Sequence, residues 1–170
     1  SNIFGLEPNY GCCTANLSQG WPKFAVHLWM AAGEGLAAVA YAPSEVTATL
    51  HGQTVRVLLE TGYPFSDALH FTVHTGEPVS FPLLLRIPQW ADEAHVSING
   101  AASEATLPGK FHRIEREWHD GDTVLLTLPM HPVVHARPQQ TVAVSRGPLL
   151  FALKIGEDWR RVHEDQPHRE

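Results

Sequence analysis

Between Thr14 and about Ala32 the apolar residues Leu17, Trp21, Phe24, Ala25, Leu28 and Trp29 recur at intervals of three and four. That period predicts one amphipathic helix. Thr14 or Asn16 can cap its start by accepting a bond from a free backbone N–H. Pro22 suits the first position of the main helix, which makes the turn before it a separate one. Gly33 and Gly35 read as the stop. The two tryptophans and the phenylalanine on this stretch read as buried packing rather than as a platform for a sugar.

The period then changes to two. Leu36 to Ala42 reads as a strand ended by Pro43, and Val46, Ala48 and Leu50 alternate with Thr47 and Thr49. Further strands follow at Val55–Glu60, Ala68–His74, the apolar run Phe81–Ile87, Phe111–Trp118 and Thr123–Leu128. Val133–Ala136, Thr141–Ser145 and Leu149–Leu153 bring the total to about ten or eleven. Asn99-Gly100 predicts a two-residue type I′ turn, since both residues accept positive φ. Asp120-Gly121 predicts a hairpin joining the strands on either side. Short strands at near-regular spacing predict a mainly β chain, an antiparallel β-sandwich preceded by one helix that docks on it. The expected division is residues 1–33 for the helical part, 34–155 for the sandwich and 156–170 for a polar, exposed tail.

Composition narrows the function classes. With 12 lysines and arginines against 18 acidic residues the net charge is −6, and the basic residues do not cluster. That disfavours nucleic acid and anionic membranes as partners. No membrane span or targeting segment stands out, and two cysteines cannot build a disulfide framework, so the compartment, cytoplasmic or secreted, stays open. A lone amphipathic helix cannot bury its apolar face, so the chain reads as a piece of a larger protein.

The two cysteines, Cys12 and Cys13, stand side by side at the mouth of the helix. A thiolate is a nucleophile and a soft metal ligand, and its pKa falls near a metal or a helix N-terminus. Two small residues packing a helix start would look the same. Neighbouring Cα atoms lie about 3.8 Å apart, below the roughly 4.4 Å that a disulfide needs, so free thiols are expected.

Gly11-Cys12-Cys13-Thr14-Ala15-Asn16, with Gln19-Gly20-Trp21-Pro22-Lys23 downstream, resembles the double-cysteine motif of the β-L-arabinofuranosidases of glycoside hydrolase family 127 and their relatives. Leu83-Leu84-Leu85-Arg86-Ile87-Pro88-Gln89-Trp90, Val96-Ser97-Ile98-Asn99-Gly100, Trp118-His119-Asp120-Gly121-Asp122 and Ser145-Arg146-Gly147-Pro148-Leu149 resemble the same family, in the same order. The resemblance implies that the helix is the remnant of an (α/α)6 catalytic barrel. It implies retaining hydrolysis of arabinofuranosides or related plant sugars, with Cys12 as nucleophile and as zinc ligand and Cys13 as its neighbouring zinc ligand. It also implies that a glutamate, a third cysteine and the general acid/base glutamate lie upstream. Zinc would then belong to the full-length protein, the partners would be a carbohydrate and the missing helical barrel, and this chain by itself would be inactive. The Gln19–Lys23 string belongs to relatives whose substrates are less well established than those of the arabinofuranosidases themselves, which leaves the sugar open.

Other residues carry weaker signals. Glu7 and His27 lack a ligand spacing to Cys12. Asp120 and Asp122 read as turn chemistry, and His163, Asp165 and His168 as a solvated tail. Arg146 reads as a structural ion-pair partner, and Trp90 and Trp118 as core or interface. Bare Trp21, Phe24 and Leu28 would favour self-association into a homo-oligomer. The competing class is a non-catalytic sandwich that binds carbohydrate or acts as a scaffold, which has no need of paired cysteines. A thiol redox protein is disfavoured because no Cys-x-x-Cys is present.

Overall fold

The computed structural model describes Asn16 and residues 18–158. The described chain divides into two compact units between His131 and Pro132. The first opens with a short helix, α1 (Gly20–Val26), followed by β1 (Trp29–Ala32) and β2 (Gly35–Ala38). Next come β3 (Ser44–Leu50), β4 (Gln53–Thr61), β5 (Ala68–Thr75) and β6 (Val79–Arg86). The unit closes with β7 (His95–Ile98), β8 (Glu104–Ala105), β9 (Phe111–Trp118) and β10 (Asp122–Thr127).

Two sheets form from these strands, one in the order β1-β2-β6-β9 and one in the order β3-β4-β5-β10-β7-β8. The alternation that predicted strands is the reason they pack. In β4, Val55, Val57 and Leu59 face inward while Thr54, Arg56 and Glu60 face out. Leu69, Phe71 and Val73 of β5 and Val124 and Leu126 of β10 continue that face. Against them lie Leu36, Ala38, Phe81, Leu83, Leu85, Ile114 and Trp118 of the other sheet. Trp118 is fully buried, and its indole N–H donates to the carbonyl of Phe81 at 2.9 Å, so its one polar atom is satisfied. The mainly β sandwich expected from the sequence is therefore present.

Four local expectations need correction. The helix is shorter than the apolar period suggested: it stops at His27, and Trp29–Ala32 is a strand. Gly33, at φ 60°, and Glu34 turn β1 into β2, so the glycine that read as a helix stop is a hairpin turn. The Trp29 ring then meets Phe71 edge-on at 6.0 Å, and its N–H donates to Ser44 Oγ at 3.1 Å. Burying that ring outweighs the few further helical bonds the segment would otherwise gain. Second, α1 buries none of its residues, so it does not dock on the sandwich as expected.

Third, the sandwich is not wholly antiparallel. β2 runs parallel to β6, because the chain crosses to the other sheet for three strands and returns in the same direction. Fourth, Asp120-Gly121 does not close a hairpin. The turn exists, with Asp122 N–H donating to His119 C=O at 3.1 Å, but β9 pairs with β6 while β10 pairs with β5 and β7. The turn carries the chain between sheets.

The Asn99-Gly100 expectation is met. Both residues have positive φ, 51° and 72°, and Ala101 N–H closes the turn on Ile98 C=O at 2.9 Å.

The second unit contains β11 (Pro132–Arg137), β12 (Thr141–Arg146) and β13 (Leu149–Phe151) in one antiparallel sheet. Gly147-Pro148 turns β12 into β13, with Gly147 at φ 54°. Val134, Val144 and Phe151 form one cross-strand row of an apolar face.

Candidate functional site

Cys12 and Cys13 lie outside the described residues, as do Glu7, His163, Asp165 and His168. What is described is the segment that follows the double cysteine. There Asn16, Gln19, Lys23 and His27 form a polar ladder whose spacing of three, four and four places them along one side. Gln19 Nε2 donates to Asn16 Oδ1 at 2.8 Å, and Lys23 Nζ donates to Gln19 Oε1 at 3.4 Å. His27 Nδ1 lies 2.6 Å from the Lys23 carbonyl oxygen. A carbonyl can only accept, so Nδ1 carries the hydrogen, and in the neutral ring Nε2 is the basic nitrogen. On another side, Trp21 and Phe24 stack nearly parallel, 5.7 Å between centroids, and both rings are open to solvent at 77% and 41%. Leu28, grouped with them in the sequence reading, is buried instead. The ladder is legible in the spacing of its residues, but the sequence reading did not single it out.

The carboxylates at 120 and 122 do structural work. Asp120 Oδ1 accepts from His74 Nδ1 at 3.1 Å and from the Thr75 N–H at 3.3 Å. Asp122, whose side chain is only 11% accessible, accepts from Asn99 Nδ2 at 2.7 Å and from His119 N–H at 2.9 Å, beside the Arg116 guanidinium at 3.5 Å. Burial alone would push the Asp122 carboxyl up. The His119 N–H, the Asn99 amide and the Arg116 and His119 charges outweigh it and hold the carboxyl below its ordinary range. Turn chemistry therefore accounts for both residues.

Among the described residues no three His, Cys, Asp or Glu side chains gather as a metal site would require. Trp118 is core, and Trp90 is half-buried against the core. Arg146 ends β12 opposite Leu149. Tyr41 is buried with its hydroxyl donating to the Arg86 carbonyl at 2.6 Å, and burial pushes that phenol up against the opposing charge of Arg86.

Two clefts open on the first unit. A shallow one of about 710 Å³ runs past Glu34, His51, Ser80 and Glu115 at one end of the sandwich. A narrower one of about 380 Å³ lies over the outer face of the six-stranded sheet, between Glu60 and Ser97. The sequence reading found neither, because each is assembled from strands far apart in the chain.

Comparison with known proteins places this architecture. Residues 35–130 match the family described as β-L-arabinofuranosidase, GH127 middle domain. No curated protein matches the chain. Among solved structures, the chain is similar to a GH127 β-L-arabinofuranosidase from Geobacillus stearothermophilus, at 28% identity and a TM-score of 0.73, over 83% of this chain and 24% of that one. It shares its fold with a protein described as a glycoside hydrolase, at 22% identity and a TM-score of 0.76, over 88% of this chain and 27% of that one. It likewise shares its fold with another GH127 β-arabinofuranosidase, at 24% identity and a TM-score of 0.72, over 83% and 26%. The chain thus spans about a quarter of the length of these relatives.

Proposed function

The chain belongs to the GH127 β-L-arabinofuranosidase family, and from that premise we propose that it is part of a glycoside hydrolase that cleaves arabinofuranosides or related plant sugars through a cysteine nucleophile. The observation that carries the reading is the adjacency in sequence of Cys12-Cys13 to a sandwich matching the family's middle domain from residue 35. The carbohydrate substrate and a helical barrel of the same polypeptide are its partners in this proposal. A binding module would have no use for the cysteine pair.

Two adjacent thiols that strain keeps from bridging have the soft donor chemistry that zinc selects, so the donor set fits. Cys12 and Cys13 would hold the metal, which when bound keeps a thiol as thiolate at neutral pH. Cys12 sulfur attacks the anomeric carbon as the glycosidic bond breaks, giving a thioglycosyl enzyme. The leaving oxygen takes a proton from the general acid/base glutamate that the resemblance puts upstream, and that glutamate takes a proton back from water in the next step. Water then displaces the sulfur with a second inversion, so configuration is retained. Two thiolates are half of a four-ligand set, and the 170 residues alone are expected to be inactive.

The test uses the full-length protein. Zinc content by elemental mass spectrometry should be near stoichiometric and should fall with Cys13→Ser. Hydrolysis of an aryl arabinofuranoside should vanish with Cys12→Ala. Full activity in Cys12→Ala would end the proposal.

A further inference from the structure

We propose that the outer face of the six-stranded sheet carries a second, non-catalytic site that holds one neutral sugar unit through its vicinal hydroxyls. The register sets Glu60, His70, Leu125 and Ser97 in one row across four adjacent strands, since Glu60 pairs with His70, His70 with Leu125, and Leu125 with Ser97. At about 4.8 Å per strand the row is on the order of 14 Å long, longer than one sugar ring, so a single unit covers part of it. Thr72 pairs with Thr123 two residues along, and these two line the other side of the 380 Å³ trough. The inward neighbours Leu59, Phe71 and Val124 are locked in the core, which holds the outward side chains on a rigid floor.

The chemistry of the lining selects the ligand. Ser97 Oγ donates to Ala101 C=O at 2.7 Å, so its lone pairs remain to accept from a ligand hydroxyl. The side chains of Glu60, His70 and Thr72 make no hydrogen bond or ion pair among the described residues, so a carboxylate, an imidazole and a hydroxyl stand ready. The half-buried Leu125 between them offers an apolar patch for the C–H face of a ring. One carboxylate without a second is too few for a hard cation, and the lining has no lysine or arginine to draw an anion. A neutral polyhydroxyl ligand satisfies what remains, since a carboxylate accepts from two adjacent hydroxyls at once.

The choice of an arabinoside as one probe rests on the hydrolase reading; the site itself does not. Amide shifts of the 170-residue chain carrying Cys12→Ala would be followed by NMR, with methyl β-L-arabinofuranoside and, separately, D-galactose. Saturable shifts centred on Glu60, His70, Thr72, Ser97 and Thr123, with a Kd on the order of millimolar, are expected for at least one sugar. Glu60→Gln should weaken that sugar about tenfold, the equivalent of one charge-assisted hydrogen bond, with an unchanged urea midpoint. Response to D-galactose alone would support the site while counting against an arabinoside preference. No shift at these residues with either sugar, or equal affinity in Glu60→Gln, would overturn it. Loss of hydrolysis in full-length Cys12→Ala, by contrast, tests only the cysteine chemistry.

Discussion

Asn99 and Asp122 lock two turns of the sandwich together: Asn99 Nδ2 donates to Asp122 Oδ1 at 2.7 Å, while Asn99 Oδ1 accepts the Thr123 N–H at the same distance. Asn99 reaches this geometry only because its backbone sits at φ 51°, which the Asn-Gly turn requires in any case. One residue thus serves the local turn and the junction where β10 enters its sheet.

Asn99→Ala should cost about 2–3 kcal/mol, from a lost charge-assisted bond and from positive φ on a residue with a Cβ. Asn99→Gly keeps the backbone free and loses only the side-chain bonds, so its cost should be smaller. Urea unfolding of the two variants measures the difference. Equal losses would mean that backbone conformation is not part of what Asn99 contributes.

The Asp122 carboxyl is held below its unfolded value of about 3.9, so the native state binds fewer protons than the unfolded one as acid is added. Its contribution is complete above that unfolded value and fades as pH falls through the folded value. Stability of the native protein should therefore drop below about pH 4 more steeply than that of Asp122→Asn. Parallel curves for the two between pH 2 and 6 would contradict this.

Tyr41 has the opposite sign. Burial raises its phenol, so the folded state keeps a proton that the unfolded chain releases above about pH 10. Its contribution is present below that pH and lost as pH rises beyond it. Tyr41→Phe should cost about 1 kcal/mol at pH 7, through the lost bond to the Arg86 carbonyl, and should flatten the alkaline limb. Denaturant melts at pH 7 and 11 would show it.

Gly35 of β2 lies close against Pro82 of β6, where an added Cβ would stand 2.0 Å from the Pro82 carbonyl oxygen. Backbone on both sides leaves little room to yield. Gly35→Ala should cost more than about 3 kcal/mol, whereas Gly52→Ala, with open space but φ 79°, should cost about 1 kcal/mol. Thermal melts of the two variants compare them directly, and similar losses would show that the β2–β6 spacing is soft.

The sequence by itself determined the strand faces, the left-handed turn at Asn99-Gly100 and the family resemblance. Alternation with period two is written in neighbouring residues, and so is the preference of Asn-Gly for positive φ. It marked Cys12 and Cys13 as candidate thiolates too, since thiol chemistry belongs to the residue type, while their separate roles came only with the resemblance. What only the tertiary structure decided is partnership. Period two says which side of Phe111–Trp118 is apolar, but not that this strand joins β6 rather than β10. Likewise Trp29 fits a helical period and a strand, and the decision came from the distant Phe71 ring and the Ser44 hydroxyl it could reach. The row of Glu60, His70, Leu125 and Ser97 was hidden for the same reason: its members are ordinary strand residues, spread over 66 positions, until register sets them side by side. Local chemistry is fixed by covalent neighbours; pairing is fixed by the surface each face can bury, and that is a property of the folded whole.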